Sequence, residues 1–200
     1  MSETNGSNLM GRRAVVARLL QDRGDDLLVV SGLGNASWDI TAAGDHPLNF
    51  PMWGAMGSAA SVGLGLALAQ PDRRVLVITG DGEMLMGLGT LPTIAAQAPE
   101  NLSLVVIDNE HYTAVGTQGT HTSAGTDLAA MAAAAGLPVT GTAHGEEELE
   151  AAWQDIRAGK GPVFYVVKVR AETLPKVLPP RDGVVLKHRF RAALLGEDRA

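Results

Sequence analysis

Val15, Val16, Leu19 and Leu20 fall at helical spacing and predict a helix over Arg12 to Arg23, after which Leu27 to Ser31 is a short β-type run closed by glycine. The same alternation then continues down the chain. Gly57 to Gln70 predicts a helix of small residues, Arg74 to Thr79 a buried strand, Met84 to Gln97 a helix, and Leu102 to Asp108 a second buried strand. Asp127 to Ala135 is again helical, followed by a short strand at Val139 to Gly141, a helix near Glu146 to Arg157, and Pro162 to Val169, the most β-rich stretch. Strands that are apolar on both faces and alternate with helices predict a doubly wound parallel α/β sheet, with ligands beyond the strand carboxyl ends. We expect a single domain over residues 11–172, preceded by a loose, flexible start at 1–10. Residues 173–200 should form an extended arm, Thr173 to Asp182 with Pro175, Pro179 and Pro180, and a short amphipathic helix, Val184 to Leu195.

Composition narrows the ligands. Two hundred residues with 46% apolar content fill one core. A formal charge of -6 excludes nucleic acid as the main ligand, since a phosphate-tracking surface carries a basic excess, and any phosphate must be held locally. The chain has no cysteine, which removes disulfides, thiolate metal ligands and sulfur redox chemistry. The polar first ten residues and the lack of any apolar run of about eighteen give the expectation of a cytoplasmic protein with no membrane partner.

The chemistry-bearing signal begins where Val75-Leu76-Val77-Ile78 runs into Thr79-Gly80-Asp81-Gly82. A carboxylate flanked by glycines at the end of a buried strand can meet a cation while the backbone closes around a phosphate. The next strand ends in Asp108-Asn109-Glu110-His111-Tyr112, so neighbouring strands deliver oxygen ligands to one sheet edge, as Mg²⁺ with a diphosphate requires. Between Gly82 and Asn109 lie 26 residues, room for one crossover helix and one strand. Either half alone also fits an ordinary βα turn or a capping residue; the pair at this spacing favours the ligand reading. Upstream, Gly32-Leu33-Gly34-Asn35-Ala36-Ser37 follows a strand and opens a helix, where exposed amides suit an anion. It is also a near miss for the dinucleotide fingerprint G-x-G-x-x-G, with Ser37 in place of the third glycine and no ribose-binding acid at the end of a second strand.

The Gly80-Asp81-Gly82…Asn109 pair resembles the signature of thiamine diphosphate (ThDP) enzymes. With Trp53-Gly54-Ala55-Met56-Gly57 and the C-terminal Leu186-Lys187-His188-Arg189-Phe190, the chain is similar to the β subunits of sulfopyruvate decarboxylases and the matching half of phosphonopyruvate decarboxylases. The resemblance covers nearly all of the chain after about Leu27. It implies the diphosphate-binding (PP-type) fold, ThDP and Mg²⁺ as cofactors, and decarboxylation of a small 2-oxoacid. Asp81, the Asn109 side-chain oxygen and the His111 carbonyl would ligate the metal. Asn35, Ala36, Ser37, Gly80, Gly82, Glu83 and Tyr112 would stand around the diphosphate. Gly54 and Met56 would serve the pyrimidine, with the Met56 side chain as the wedge that bends the cofactor, although a methionine is also a common core gap-filler. The loop Thr113 to Thr122 would face the substrate, with His121 for proton transfer or for the substrate's anionic head, unless it is an idle loop histidine. Two positions depart from the usual pattern. Glu83 stands where many of these enzymes place a serine, and must turn away or lean on a cation; Asp108 replaces the first asparagine of a common Asn-Asn pair.

One catalytic group is missing from the pattern. The family's chemistry needs a glutamate against N1′ of the pyrimidine, carried on a separate pyrimidine-binding domain. Glu83 and Glu110 fall near the diphosphate end, and Glu146 to Glu150 read as a solvated helix face. The expectation is a heteromer, completed by an α-type subunit that supplies the acid. A ThDP-dependent carboligase or acyltransferase, and a non-catalytic ThDP- or nucleotide-binding module, remain open alternatives.

Overall fold

A computed structural model of the chain describes residues 9–114 and 116–199. Six strands form one parallel sheet in the order β2-β1-β3-β4-β6-β5, where β1 is Leu27–Ser31, β2 Asn49–Pro51, β3 Arg74–Gly80, β4 Leu102–Asp108, β5 Val139–Ala143 and β6 Val163–Lys168. Eight α-helices accompany it among the described residues: α1 Arg12–Leu19, α2 Asn35–Ala43, α3 Ala59–Ala69, α4 Asp81–Met86, α5 Thr90–Gln97, α6 Leu128–Ala134, α7 Glu146–Ala158 and α8 Gly183–Leu195. The expected doubly wound parallel α/β architecture is therefore observed. Successive strand residues feed opposite cores, as a two-residue period requires. Leu28, Val30, Val75, Val77, Leu104 and Val106 pack beneath α3, α5, α6 and α8. Val29, Leu76, Ile78, Val105 and Ile107 pack beneath α1, α2 and α7.

Most elements fall within a few residues of the sequence expectation, and the differences have local causes. The helix expected over Met84 to Gln97 is two helices, α4 and α5, separated by Gly87-Leu88-Gly89. Gly87 lies against the main chain of Gly57, and a Cβ on it would sit 2.3 Å from the Gly57 carbonyl oxygen, so the chain bends where two backbones meet. Gly57 itself has φ +94°, which keeps it out of α3 and starts that helix at Ala59 rather than Gly57. Strand β2 was not anticipated; its three residues carry no apolar alternation and end in proline. The flexible start expected for 1–10 lies outside the described residues for 1–8, while Met10 bridges to Val169.

The chain runs from β1 out to β2, then returns to place β3 on the other side of β1. At such a reversal the two crossovers leave in opposite directions and open a crevice at the strand carboxyl ends. Residues 171–180 have neither helix nor strand and are tied down by Arg13 Nη2 donating to the Pro175 carbonyl (2.9 Å), Lys176 over the Trp38 ring, and Trp53 Nε1 donating to the Pro180 carbonyl (2.8 Å).

Candidate functional site

A partly open cleft with a cavity volume of about 80 Å³ lies at the ends of β1, β3 and β4. Its walls bring together residues far apart in sequence: Asn35 and Ala36 from the first turn of α2, Met56, the Gly80 to Glu83 turn, Asn109, and His111 with Tyr112. Gly54 stands exposed beside Met56 on the same loop, where Ala55 is held at φ +58°.

Asp81 is the first residue of α4 and is buried. Its Oδ2 accepts from Thr120 Oγ1 (2.5 Å) and Thr122 Oγ1 (3.3 Å). Burial pushes its carboxyl up to about 6; the Thr120 hydrogen bond opposes the rise and the nearby Asp108 adds to it. Asn109 is buried as well, its Oδ1 accepting from the His111 amide (3.1 Å) and its Nδ2 donating to Thr113 Oγ1 (3.1 Å). Asn35 Nδ2 donates to the same threonine (2.6 Å), so α2 and the post-β4 loop are pinned at one hydroxyl. The Tyr112 ring lies over Gly82, where a Cβ would stand 2.2 Å from it.

Four sequence expectations acquire specific geometry. Ser37 is buried with its hydroxyl donating to the Gly32 carbonyl (2.7 Å) and against Ser31 Oγ (2.9 Å), so a ligand in the cleft would meet at most its main chain. Glu83 is turned inward, under Gly32, where burial raises its carboxyl. The Thr79 hydroxyl and the amides of Ala59, Gly57 and Leu33 are near enough to oppose that rise, yet neither carboxyl oxygen makes a hydrogen bond of normal geometry. His121 is exposed at the start of a short 3₁₀ turn and is not among the cleft-lining residues. Asp108 is buried and paired with Lys168 Nζ (2.8 Å), which also donates to Glu110 Oε1 (2.7 Å). Burial pulls the Lys168 ammonium down, but the two carboxylates outweigh it and leave it raised.

Thr120 and Thr122 were read only as part of the substrate-facing loop, not as partners of Asp81, and neither Lys168 nor the buried Arg12, which lines the cleft and is paired with Asp39, was singled out. Arg12 carried one available signal: an arginine at a position of α1 that the helical spacing turns inward. The threonines carried none, because a hydroxyl's partner is set by tertiary contacts.

The set of groups fits a divalent cation holding a diphosphate. Asp81 is a buried carboxylate with no cationic partner among the described residues. The first-turn amides of α2 face the cleft without a side-chain cap. Among the described residues no three His, Cys, Asp or Glu side chains converge, so a metal would draw on an amide oxygen, a carbonyl and ligand oxygens beside Asp81. A dinucleotide fits less well, because β2 ends in Pro51, followed by Met52, with no acid to meet a ribose.

A parallel sheet with this Asp and Asn at adjacent strand ends defines the class of diphosphate-binding α/β domains. The thiamine pyrophosphate enzyme C-terminal TPP-binding domain matches residues 34–167, and the chain belongs to this family. It is 38% identical over 188 residues to sulfopyruvate decarboxylase subunit beta of Methanocaldococcus jannaschii, covering 90% of this chain and 95% of that one. It is 42% identical over 166 residues to the subunit of the same name from Methanothermobacter thermautotrophicus, covering 83% and 86%. Phosphonopyruvate decarboxylase of Streptomyces viridochromogenes is 40% identical over 186 residues; the match takes in 90% of this chain but 45% of that longer one. The crystal structure of benzoylformate decarboxylase from Polynucleobacter necessarius shares the fold, with a TM-score of 0.71 at 20% identity over 82% of this chain and 34% of that one. No helix among the described residues is long and apolar enough to cross a membrane.

Proposed function

We propose that this chain is the cofactor-diphosphate-binding subunit of a heteromeric, cytoplasmic 2-oxoacid decarboxylase that uses ThDP and Mg²⁺ and acts on a small substrate of the sulfopyruvate or phosphonopyruvate type. The observation that carries the reading is the convergence of Asp81 and Asn109 on one cleft beside the uncapped first turn of α2. Asp81, Asn109 and the His111 carbonyl would hold the metal. The amides of Asn35 and Ala36 would face the diphosphate, with Gly80 and Gly82 leaving room for its approach. Bound there, the cofactor would supply an electron sink for the carbanion left by CO₂ loss. Met56, on a loop with left-handed residues at 55 and 57, would wedge beneath the cofactor, and the Gly54 carbonyl would accept from its amino group. His121, exposed on its turn, would meet substrate only once the partner closes over the cleft.

Among the described residues no buried glutamate other than Glu83 lines the cleft, and Glu83 lies beneath the Gly32 turn, within two residues of Asp81. The acid for the pyrimidine would therefore come from an α-type partner, in keeping with relatives named as β subunits. The test is calorimetric titration of ThDP with and without Mg²⁺. The native chain should bind only with the metal, and Asp81→Ala should weaken binding by at least about tenfold while its unfolding midpoint holds or rises, since a desolvated carboxylate is removed. Equal affinity in the two proteins, or binding indifferent to Mg²⁺, would refute the assignment.

A further inference from the structure

A run of close polar contacts joins Lys168 on β6, the strand beside β4, to the inner edge of the cleft. Lys168 Nζ, at the end of β6, holds Asp108 Oδ2 at 2.8 Å. The other oxygen of Asp108, Oδ1, accepts from Thr122 Oγ1 at 2.8 Å and from the Glu110 amide at 3.0 Å. Thr122 Oγ1 also lies 3.3 Å from Asp81 Oδ2 and 2.8 Å from Thr120 Oγ1, which itself donates to that Asp81 oxygen at 2.5 Å. Asp81, Asp108, Thr120 and Thr122 are all buried. Two carboxylates so close together in a dry site would repel, and each needs donors to remain there.

We propose that Thr120 and Thr122 are positioning residues for Asp81, and that they tie the loop after β4 to the metal site. The inference rests on the functional reading above and deepens it. Thr120 donates to Oδ2, with Thr122 Oγ1 beside the same oxygen, which leaves Oδ1, without a side-chain donor among the described residues, as the oxygen available to a cation. Each hydroxyl has one proton, so the two donors cannot serve every acceptor in the cluster at once. Lys168 eases this by holding one oxygen of Asp108, so that the Thr122 proton is left to Asp108 Oδ1, Asp81 Oδ2 and Thr120 Oγ1, of which Asp108 Oδ1 and Thr120 Oγ1 are nearer than Asp81 Oδ2. Lys168, on the neighbouring strand, offsets the charge that Asp108 would otherwise add beside Asp81. The same threonines flank His121, so loading of the metal and ordering of the proposed substrate loop are one event rather than two.

Thr122→Val keeps the shape and removes the hydroxyl; Thr122→Ser keeps the hydroxyl; Thr120→Val tests the second donor. Each variant is titrated with Mg²⁺ at fixed ThDP by calorimetry, alongside its unfolding midpoint and amide hydrogen exchange over 119–123. We expect Thr122→Val and Thr120→Val to weaken Mg²⁺ by about 10- to 100-fold, the usual range for partners of metal ligands, and Thr122→Ser to restore most of it. Metal with ThDP should slow exchange at 119–123 in the native chain and do so less in the valine variants. Native Mg²⁺ affinity in both valine variants, or a loss that serine does not restore, overturns the inference. If the native chain itself shows no Mg²⁺-dependent ThDP binding, the functional reading has failed instead.

Discussion

A Cβ on Gly32 would stand 1.7 Å from Glu83 Oε2, so a side chain at 32 and the present place of the 83 carboxyl exclude one another. The sequence marks Gly32 as part of a glycine-rich turn, and its need for glycine reads there as a matter of ligand access. The structure gives a different cause, a neighbour that occupies the space. Gly32→Ala should therefore destabilise the chain by about 1–3 kcal/mol, the usual cost of overpacking a filled site. In a Glu83→Ala background the same substitution should cost less, because the two nearest atoms are gone and only Thr79 Oγ1, at 2.9 Å, still crowds the position. Chemical denaturation of the four proteins of the cycle measures this coupling; additive effects would show that Glu83 does not lie against Gly32. Glu83 lies beneath the Gly32 turn yet still lines the cleft, and burial there disfavours its charged form. Ser37 is a similar case: its residue type and place suited a phosphate contact, but only packing decided that its hydroxyl would bond to Gly32 and Ser31.

Strands β1, β3, β4 and β6 were legible because burial on both faces demands near-continuous apolar residues, a pattern no exposed segment needs. Strand β2, three residues at the sheet edge, and the break between α4 and α5 were not, because both depend on contacts with distant segments. Helix α7 has both local and long-range supports. Arg18 and Arg157 stack on the Trp153 ring, and Asp155 Oδ2 accepts from the Tyr165 hydroxyl on β6 at 2.6 Å. Burial, with the neighbouring Asp155 carboxylate, pushes the Tyr165 phenol up to about 12. The fold thus favours the neutral phenol. Its contribution to stability is complete below the ordinary tyrosine value of about 10 and is lost as pH rises through about 12. Near-ultraviolet titration should show a late-ionising tyrosine that disappears in Tyr165→Phe and ionises earlier in Asp155→Asn. An unchanged profile in Asp155→Asn would leave the α7–β6 link without an electrostatic part.

At the scale of the whole molecule the cleft is partly open, and the groups lining it would suit a metal and a diphosphate better than a reacting carbon. With saturating ThDP and Mg²⁺, these 200 residues alone should turn over 2-oxoacids at a negligible rate. Activity should appear on adding a pyrimidine-domain subunit with its glutamate intact, and not with that glutamate changed to glutamine. Steady-state assays across sulfonated, phosphonated and simple 2-oxoacids measure this, and ordinary rates from the chain alone would place the activating acid within it.

The sequence by itself determined the alternating α/β plan, the parallel sheet, the absence of thiol chemistry, and the two motifs at adjacent strand ends that mark the family. These are properties of period, composition and spacing, and they survive any detail of packing. Only the tertiary structure decided which oxygen faces which donor. Glu83 went under Gly32, Ser37 turned from the cleft, and Thr120 and Thr122 came to bridge Asp81 and Asp108 across 39 and 14 residues of chain. A side chain's direction in a filled interior is set by the volumes and hydrogen-bonding needs of neighbours distant in sequence, and no local pattern records those.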